Sequence, residues 1–197
     1  MNRLVLLGTT LGTIFAVSMI ASPAIAGSIV DFTATTTSDN NELKAMITAT
    51  TNVPTNGDVE FGYGILTEES FPNAILVTVT HEGFLDSVKQ AGANDSKWHN
   101  HYIALADNGN VNDACPGLEV ADMTYASPGD VRVNGEQVLF DGTNTIKSFN
   151  PLNGEESSFT AGKTPIAVIS FNLVPVFDDG GDLTNICIDV NGLYPTK

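Results

Sequence analysis

Residues 74–106 read AILVTVTHEGFLDSVKQAGANDSKWHNHYIALA, and the opening of this stretch carries the pattern that decides the fold class. Ile75, Val77 and Val79 are separated by single residues, so they share one face of a β-strand. Thr78 and Thr80 point to the opposite face. The apolar face ends at His81, which predicts a strand whose buried side finishes in an imidazole.

The end of the same stretch predicts a second strand of this kind. His99, His101 and Ile103 share one face, again with the apolar residue at one end and the histidines at the other. If the two strands pair antiparallel with His81 opposite His99, then Val79 lies opposite His101. All three histidines of the chain would then converge at one end of the core.

The rest of the chain repeats the strand signal. Short runs rich in Val, Ile, Thr and aromatic residues are bounded by Gly, Pro, Asn or Asp, and an Asn134-Gly135 pair predicts a type I′ hairpin. The predicted fold is all-β, an antiparallel β-sandwich with Greek-key links, either Ig-like or jelly-roll-like. Residues 27–197 would form this single domain, with one short helix in the loop 83–92. The runs lie at 28–35, 43–50, 59–65, 74–80, 100–105, 118–125, 130–134, 137–140, 166–173 and 185–190.

Residues 1–26 have the organisation of a secretory signal peptide. Arg3 precedes a long apolar run, and Ala24-Ile25-Ala26 forms a small-residue cleavage site. An uncleaved membrane anchor is the alternative, because the apolar run approaches the roughly 20 residues that span a bilayer. With cleavage, the chain would be secreted, extracellular or part of the cell envelope, with no membrane span left.

The two cysteines, Cys115 and Cys187, are predicted to form a disulfide, because an exported chain meets an oxidising compartment. The formal net charge of −15 argues against nucleic acid as a partner and favours cations. The remaining candidate partners are other surface proteins or a second copy of the chain.

Three imidazoles at one end of a core predict a metal site with copper or zinc as the cofactor, since neutral imidazole is a good ligand for both. Three carboxylates follow His81 in the 82–97 loop and are candidates for a fourth ligand or an outer hydrogen-bond partner: Glu82, Asp86 and Asp95. A structural cluster with satisfied hydrogen bonds is the alternative. A pH-sensitive or catalytic site without metal is a third.

Two acidic loops are candidate calcium sites, because they are dense in oxygen ligands. The same compositions also occur in ordinary turns. Asn94 begins an N-x-S sequon. The candidate calcium ligands are Asp107, Asn110, Asp113, Asp178, Asp179 and Asp182.

The sequence predicts an exported metal-binding β-sandwich protein and leaves open whether it is an enzyme. It has no G-x-S-x-G motif, P-loop or dinucleotide fingerprint. The alternative is a structural or adhesive surface module without catalytic activity, in which the segment 28–35 is donated to the sheet edge of a neighbour.

Overall fold

The structure is a computed structural model that describes residues 31–39, 42–55, 57, 59–68, 74–82, 97–106, 115, 118–143, 148–149, 155–157 and 162–196. These residues form antiparallel β-strands and contain no helix. The all-β prediction is therefore confirmed, whereas the predicted signal peptide (1–26) and the predicted helix (83–92) lie outside the described residues. The strands are β1 (Phe32–Asp39), β2 (Glu42–Ala49), β3 (Phe61–Thr67), β4 (Ala74–Thr80), β5 (His99–Ala106), β6 (Leu118–Met123), β7 (Val131–Asn134), β8 (Gln137–Thr143), β9 (Ser148–Phe149), β10 (Glu156–Ser157), β11 (Pro165–Phe177) and β12 (Leu183–Pro195).

The strands form two sheets of different shape. The smaller sheet has the order β1-β2-β8-β7. The larger has the order β10-β9-β6-β12-β11-β3-β4-β5, and β5 pairs with β6 as well. This additional pairing closes six strands, from β6 through β12, β11, β3 and β4 to β5, into a barrel. The predicted sandwich of two open sheets is therefore not confirmed.

Closure of the larger sheet requires its strands to bend, and bulges supply bends of this kind. One bulge adds a residue, Ala121, to β6 opposite Ala104 and Leu105 of β5. Another adds a residue, Asn191, to β12 opposite Ser170 and Phe171 of β11. Alternation of apolar residues carries no sign of either bulge, so the sequence predicted the strands but not the closed ring.

Two separate cores follow from this architecture. One fills the barrel and includes Val77, Val79 and Phe171. The other lies between the four-stranded sheet and one outer side of the barrel, and it includes Leu76 and Phe140. All seven residues of β4 are buried, because one face of this strand lines the barrel and the other faces the second core.

Glycines in β3 leave room for Phe171 inside the barrel. A Cβ at Gly62 would lie 2.8 Å from Phe171 Cζ, 2.8 Å from Val79 Cγ1 and 2.7 Å from the Thr78 carbonyl oxygen. Gly64 faces the same interior, but its nearest neighbour, Val77 Cγ1, would be 3.2 Å away. A small barrel is filled by its own side chains, so an added methyl group at Gly62 has no space.

We expect Gly62→Ala to lower the free energy of unfolding by about 2 kcal/mol, the usual cost of overpacking a core. Gly64→Ala is the matched control, because it adds the same methyl group to the same strand and face at a looser position. Urea unfolding of the two variants measures the difference. Equal losses of stability in both would contradict a specific clash with Phe171.

Two local predictions can be compared with the structure. The hairpin is confirmed, but Asn134 pairs with Gln137, so the two turn residues are Gly135, at a φ of 59°, and Glu136 rather than Asn134 and Gly135, and the type I′ turn stays a prediction. The described part of the segment 28–35 pairs within its own chain, as Phe32 lies opposite Ala49 on β2. This strand therefore belongs to the protein's own sheet, and its outer edge pairs with no other described strand.

The predicted disulfide is confirmed. Cys115 and Cys187 are bonded, with their α-carbons 5.4 Å apart. Cys187 lies in β12 opposite Glu119 of β6. The disulfide therefore lies beside the pairing of β6 with β12, one of the six junctions that hold the barrel closed.

Candidate functional site

The three histidines lie at one end of the barrel and are fully buried. His81 directly follows β4, while His99 and His101 are the first and third residues of β5. Their exposed fractions are 0%, 1% and 1%, respectively. Their face of each strand is the barrel interior, because Val79 and Ile103 on the same faces belong to the barrel core.

The predicted pairing of β4 with β5 is confirmed, but its register is wrong by two residues. Val79 lies opposite His99, and Val77 lies opposite His101. A shift of two residues keeps every side chain on its face, whereas a shift of one would have reversed them. The histidines therefore still meet inside the barrel, with His81 one step beyond the last β4 residue.

The three imidazoles form a row with His99 in the middle. The ring centroids of His81 and His99 are 5.0 Å apart at an interplanar angle of 80°. Those of His99 and His101 are 4.9 Å apart at 90°. We call these three residues the imidazole row.

Backbone carbonyls fix the orientation of two of these rings. His99 Nδ1 lies 2.7 Å from the Lys97 carbonyl oxygen. His101 Nδ1 lies 2.6 Å from the Thr124 carbonyl oxygen. A carbonyl oxygen only accepts, so Nδ1 carries the proton and donates in both cases. In a neutral ring with this tautomer, Nε2 is the nitrogen with which the residue would bind a metal ion.

A small apolar cavity adjoins the row. His101 lines it together with apolar side chains such as Val77, Phe171 and Ile186, which come from three different strands of the barrel. Its volume of about 20 Å³ leaves room for about one water molecule. This cavity is therefore too small for an organic ligand.

The connection between β2 and β3 covers the histidine end of the barrel. Trp98 Nε1 donates a hydrogen bond of 2.6 Å to the Pro54 carbonyl oxygen. Gly57 packs against the backbone of His81 so closely that a Cβ there would lie 2.5 Å from the His81 carbonyl oxygen. The sequence also predicts that the 82–97 loop lies over the histidines, but residues 83–96 of that loop lie outside the described residues.

Glu60 is a residue of this site that the sequence analysis missed. It is partly buried and lies next to Phe61, which pairs with Thr80, so Glu60 faces His81 across the two strands. Burial raises the pKa of Glu60, and the charge of His81 acts in the opposite direction. The alternation of Glu60 with Gly62 was visible in the sequence, but only the pairing of β3 with β4 connects it to a histidine.

Of the three carboxylates predicted to lie near the histidines, the structure describes only Glu82. Glu82 is exposed, and its side chain packs beside Gly57. Asp86 and Asp95 lie outside the described residues. Within the described ranges, no group of three or more His, Cys, Asp or Glu side chains has an arrangement that holds a metal ion. The imidazole row is therefore a cluster of potential ligands rather than a ready-made cage.

The structure describes one of the two predicted calcium loops, and there the Asp178 carboxylate accepts hydrogen bonds within the turn. Asp178 Oδ1 accepts hydrogen bonds from the backbone amides of Gly180, at 2.8 Å, and Asp182, at 3.0 Å. Asp178, Asp179 and Asp182 are all exposed. Calcium binding there stays a prediction. The other predicted calcium ligands and the sequon lie outside the described residues: Asp107, Asn110, Asp113 and Asn94.

Among the residues that the structure describes, no helix has the length and hydrophobicity needed to cross a membrane. Comparison of the chain with protein-family models, with curated proteins and with solved structures finds no match. The function must therefore be argued from the imidazole row itself.

Proposed function

We propose that this chain is an exported protein that binds one divalent transition-metal ion, zinc or copper, at the imidazole row. The observation that carries the proposal is the pair of hydrogen bonds from His99 Nδ1 and His101 Nδ1 to backbone carbonyls. Metal-ligating histidines are typically held in this way, because the bond at one nitrogen fixes the tautomer and makes the other nitrogen a better ligand.

The spacing of each adjacent pair of rings is compatible with a shared ion, whereas an ion bound by all three rings would also require His81 and His101, the two ends of the row, to come equally close. Two imidazoles bound to one tetrahedral zinc at Zn–N of about 2.0–2.1 Å have ring centroids about 5 Å apart. The two adjacent pairs of the row have centroids 5.0 Å and 4.9 Å apart. Edge-to-face packing of rings gives similar distances, so the spacing supports the proposal only together with the Nδ1 hydrogen bonds.

The ion would have to draw the Nε2 atoms together, because the described side chains hold no preformed cage. Part of the binding free energy would be spent on this rearrangement, and we expect weaker binding than at a preformed site. Export is supported by the disulfide, which is rare in reducing compartments.

The proposal is tested with the mature, untagged protein, which is stripped with a chelator and titrated with Zn²⁺ and then with Cu²⁺ by calorimetry. We expect one bound ion per chain. His99→Ala and His101→Ala should each weaken binding by more than the roughly 10–100-fold lost when only an outer partner of a ligand is removed.

Asn100→Ala is the matched control for these variants. Asn100 lies between the two histidines on β5, is equally buried and points to the opposite face. Its replacement perturbs the same strand but leaves all three imidazoles in place, so it should retain metal binding. Unchanged binding in both histidine variants, or no binding by the wild-type protein, would refute the proposed function.

A further inference from the structure

We infer that Glu60 supplies a carboxylate ligand to the metal ion at the imidazole row. This inference rests on the proposed function and adds a fourth ligand to it, one contributed by the residue just before β3 rather than by the loop that follows His81.

The register of β3 and β4 places Glu60 beside His81. Phe61 lies opposite Thr80, so Glu60 and His81 are the next residues of the two chain segments, one position beyond the last pair. The Leu173 amide donates a hydrogen bond of 3.0 Å to the Glu60 carbonyl oxygen, which holds Glu60 in line with β3. Residues directly opposite each other in an antiparallel pair have Cβ atoms about 4.5–5.5 Å apart.

Both side chains start from the face that lines the barrel. Gly62 faces the interior, because a Cβ there would contact Val79 and Phe171 of the barrel core. Glu60 lies two residues before Gly62, and His81 lies two residues after Val79. Since side chains alternate along a strand, Glu60 and His81 leave their strands on this same interior side.

The charge of the ion provides the physical reason for a carboxylate. Three imidazoles are neutral ligands, so an ion held by them alone would keep its full double charge inside a fully buried site. An uncompensated charge in an apolar interior is costly, and buried ions are normally paired. One carboxylate would halve the net charge, and zinc binds carboxylate oxygens at about 2.0–2.2 Å.

The environment of Glu60 suits this role better than that of Glu82. Glu60 is partly buried and interacts electrostatically with His81. Glu82 is exposed, so its carboxylate remains hydrated and would have to leave water to reach the ion.

The experiment uses Co²⁺ as the probe, because its visible absorption reports both binding and coordination geometry. Co²⁺ is titrated into mature, disulfide-intact protein and into Glu60→Gln, Glu60→Asp and Glu82→Gln. We expect Glu60→Gln to weaken Co²⁺ binding by at least about tenfold and to change the absorption spectrum. Glu82→Gln should match the wild type in both, and Glu60→Asp should keep more affinity than Glu60→Gln.

The outcomes separate this inference from the proposed function. Wild-type affinity and spectrum in a folded Glu60→Gln would overturn the role of Glu60 and leave the imidazole row as the metal site. Wild-type protein that takes up no Co²⁺, Zn²⁺ or Cu²⁺ would overturn both. If Glu60→Gln does not fold, a spectrum of Glu60→Asp identical to that of the wild type counts against coordination, because the shorter side chain moves the carboxylate.

Discussion

Replacement of both Cys115 and Cys187 by serine is expected to lower the free energy of unfolding by about 4 kcal/mol. The disulfide joins residues that are 72 positions apart. Removing it frees a long loop in the unfolded chain, and the entropy of that loop favours unfolding. Both cysteines are buried, so serine at these positions also places two hydroxyl groups in an apolar environment.

The loss should be concentrated where β6 meets β12. The described pairing of these strands joins Cys187 to Glu119 and Ile188 to Leu118, and Asn185 Nδ2 donates a hydrogen bond of 2.6 Å to Glu119 Oε1. The disulfide reinforces this junction of the barrel. We therefore expect backbone amides of β6 and β12 to lose more protection from hydrogen exchange than those of β3 and β4.

Urea unfolding of the oxidised wild type and the double serine variant measures the stability difference. Wild-type protein reduced under mild denaturation is the control, since it loses the bond without changing the sequence. A difference below about 1 kcal/mol, which approaches the uncertainty of linear extrapolation, would contradict the expected role of the disulfide.

The faces of the two central strands could be predicted from the sequence, whereas their register could not. Alternation placed Val79 with His81 and His101 with Ile103 on interior faces, and the structure agrees. The predicted and the observed registers differ by two residues, so both bury the same side chains. Alternation within the two strands therefore cannot choose between them.

Barrel closure and the position of Glu60 beside His81 could not be predicted from the sequence, and the reason is the same for both. Each depends on which strands become neighbours: β5 with β6 closes the ring, and β3 with β4 brings Glu60 to His81. Both pairs are consecutive in the chain, but the periodicity of a single run does not show which strand it pairs with or in which register. The carboxylates assigned to the site were therefore taken from the loop next to His81, and the one across the sheet was missed.

Asn100→Ala is expected to lower the free energy of unfolding by about 3 kcal/mol. The variant serves as a control for metal binding once it has been shown to be folded. Asn100 lies on the outer face of the barrel, and its Nδ2 atom donates hydrogen bonds of 2.9 Å to the carbonyl oxygens of Asp130 and Asp141. These two bonds join β5 to the start of β7 and to β8. Alanine removes both donors and leaves a space in a fully buried position.

Asn100→Asp separates the hydrogen bonds from the packing, because it preserves the shape of the side chain. An ionised carboxylate would face two carbonyl oxygens without a donor, whereas a protonated carboxyl group donates one hydrogen bond. The introduced group titrates near pH 4 in the unfolded chain and at higher pH in the fold, since burial and the two oxygens disfavour its charge. The free energy of unfolding of Asn100→Asp, relative to that of the wild type, should therefore be greatest below about pH 4 and fall as the pH rises above it. Urea unfolding of both proteins at pH 4 and at pH 7 measures this change, and a difference that does not grow with pH would show that the amide hydrogen bonds do not hold the two layers together.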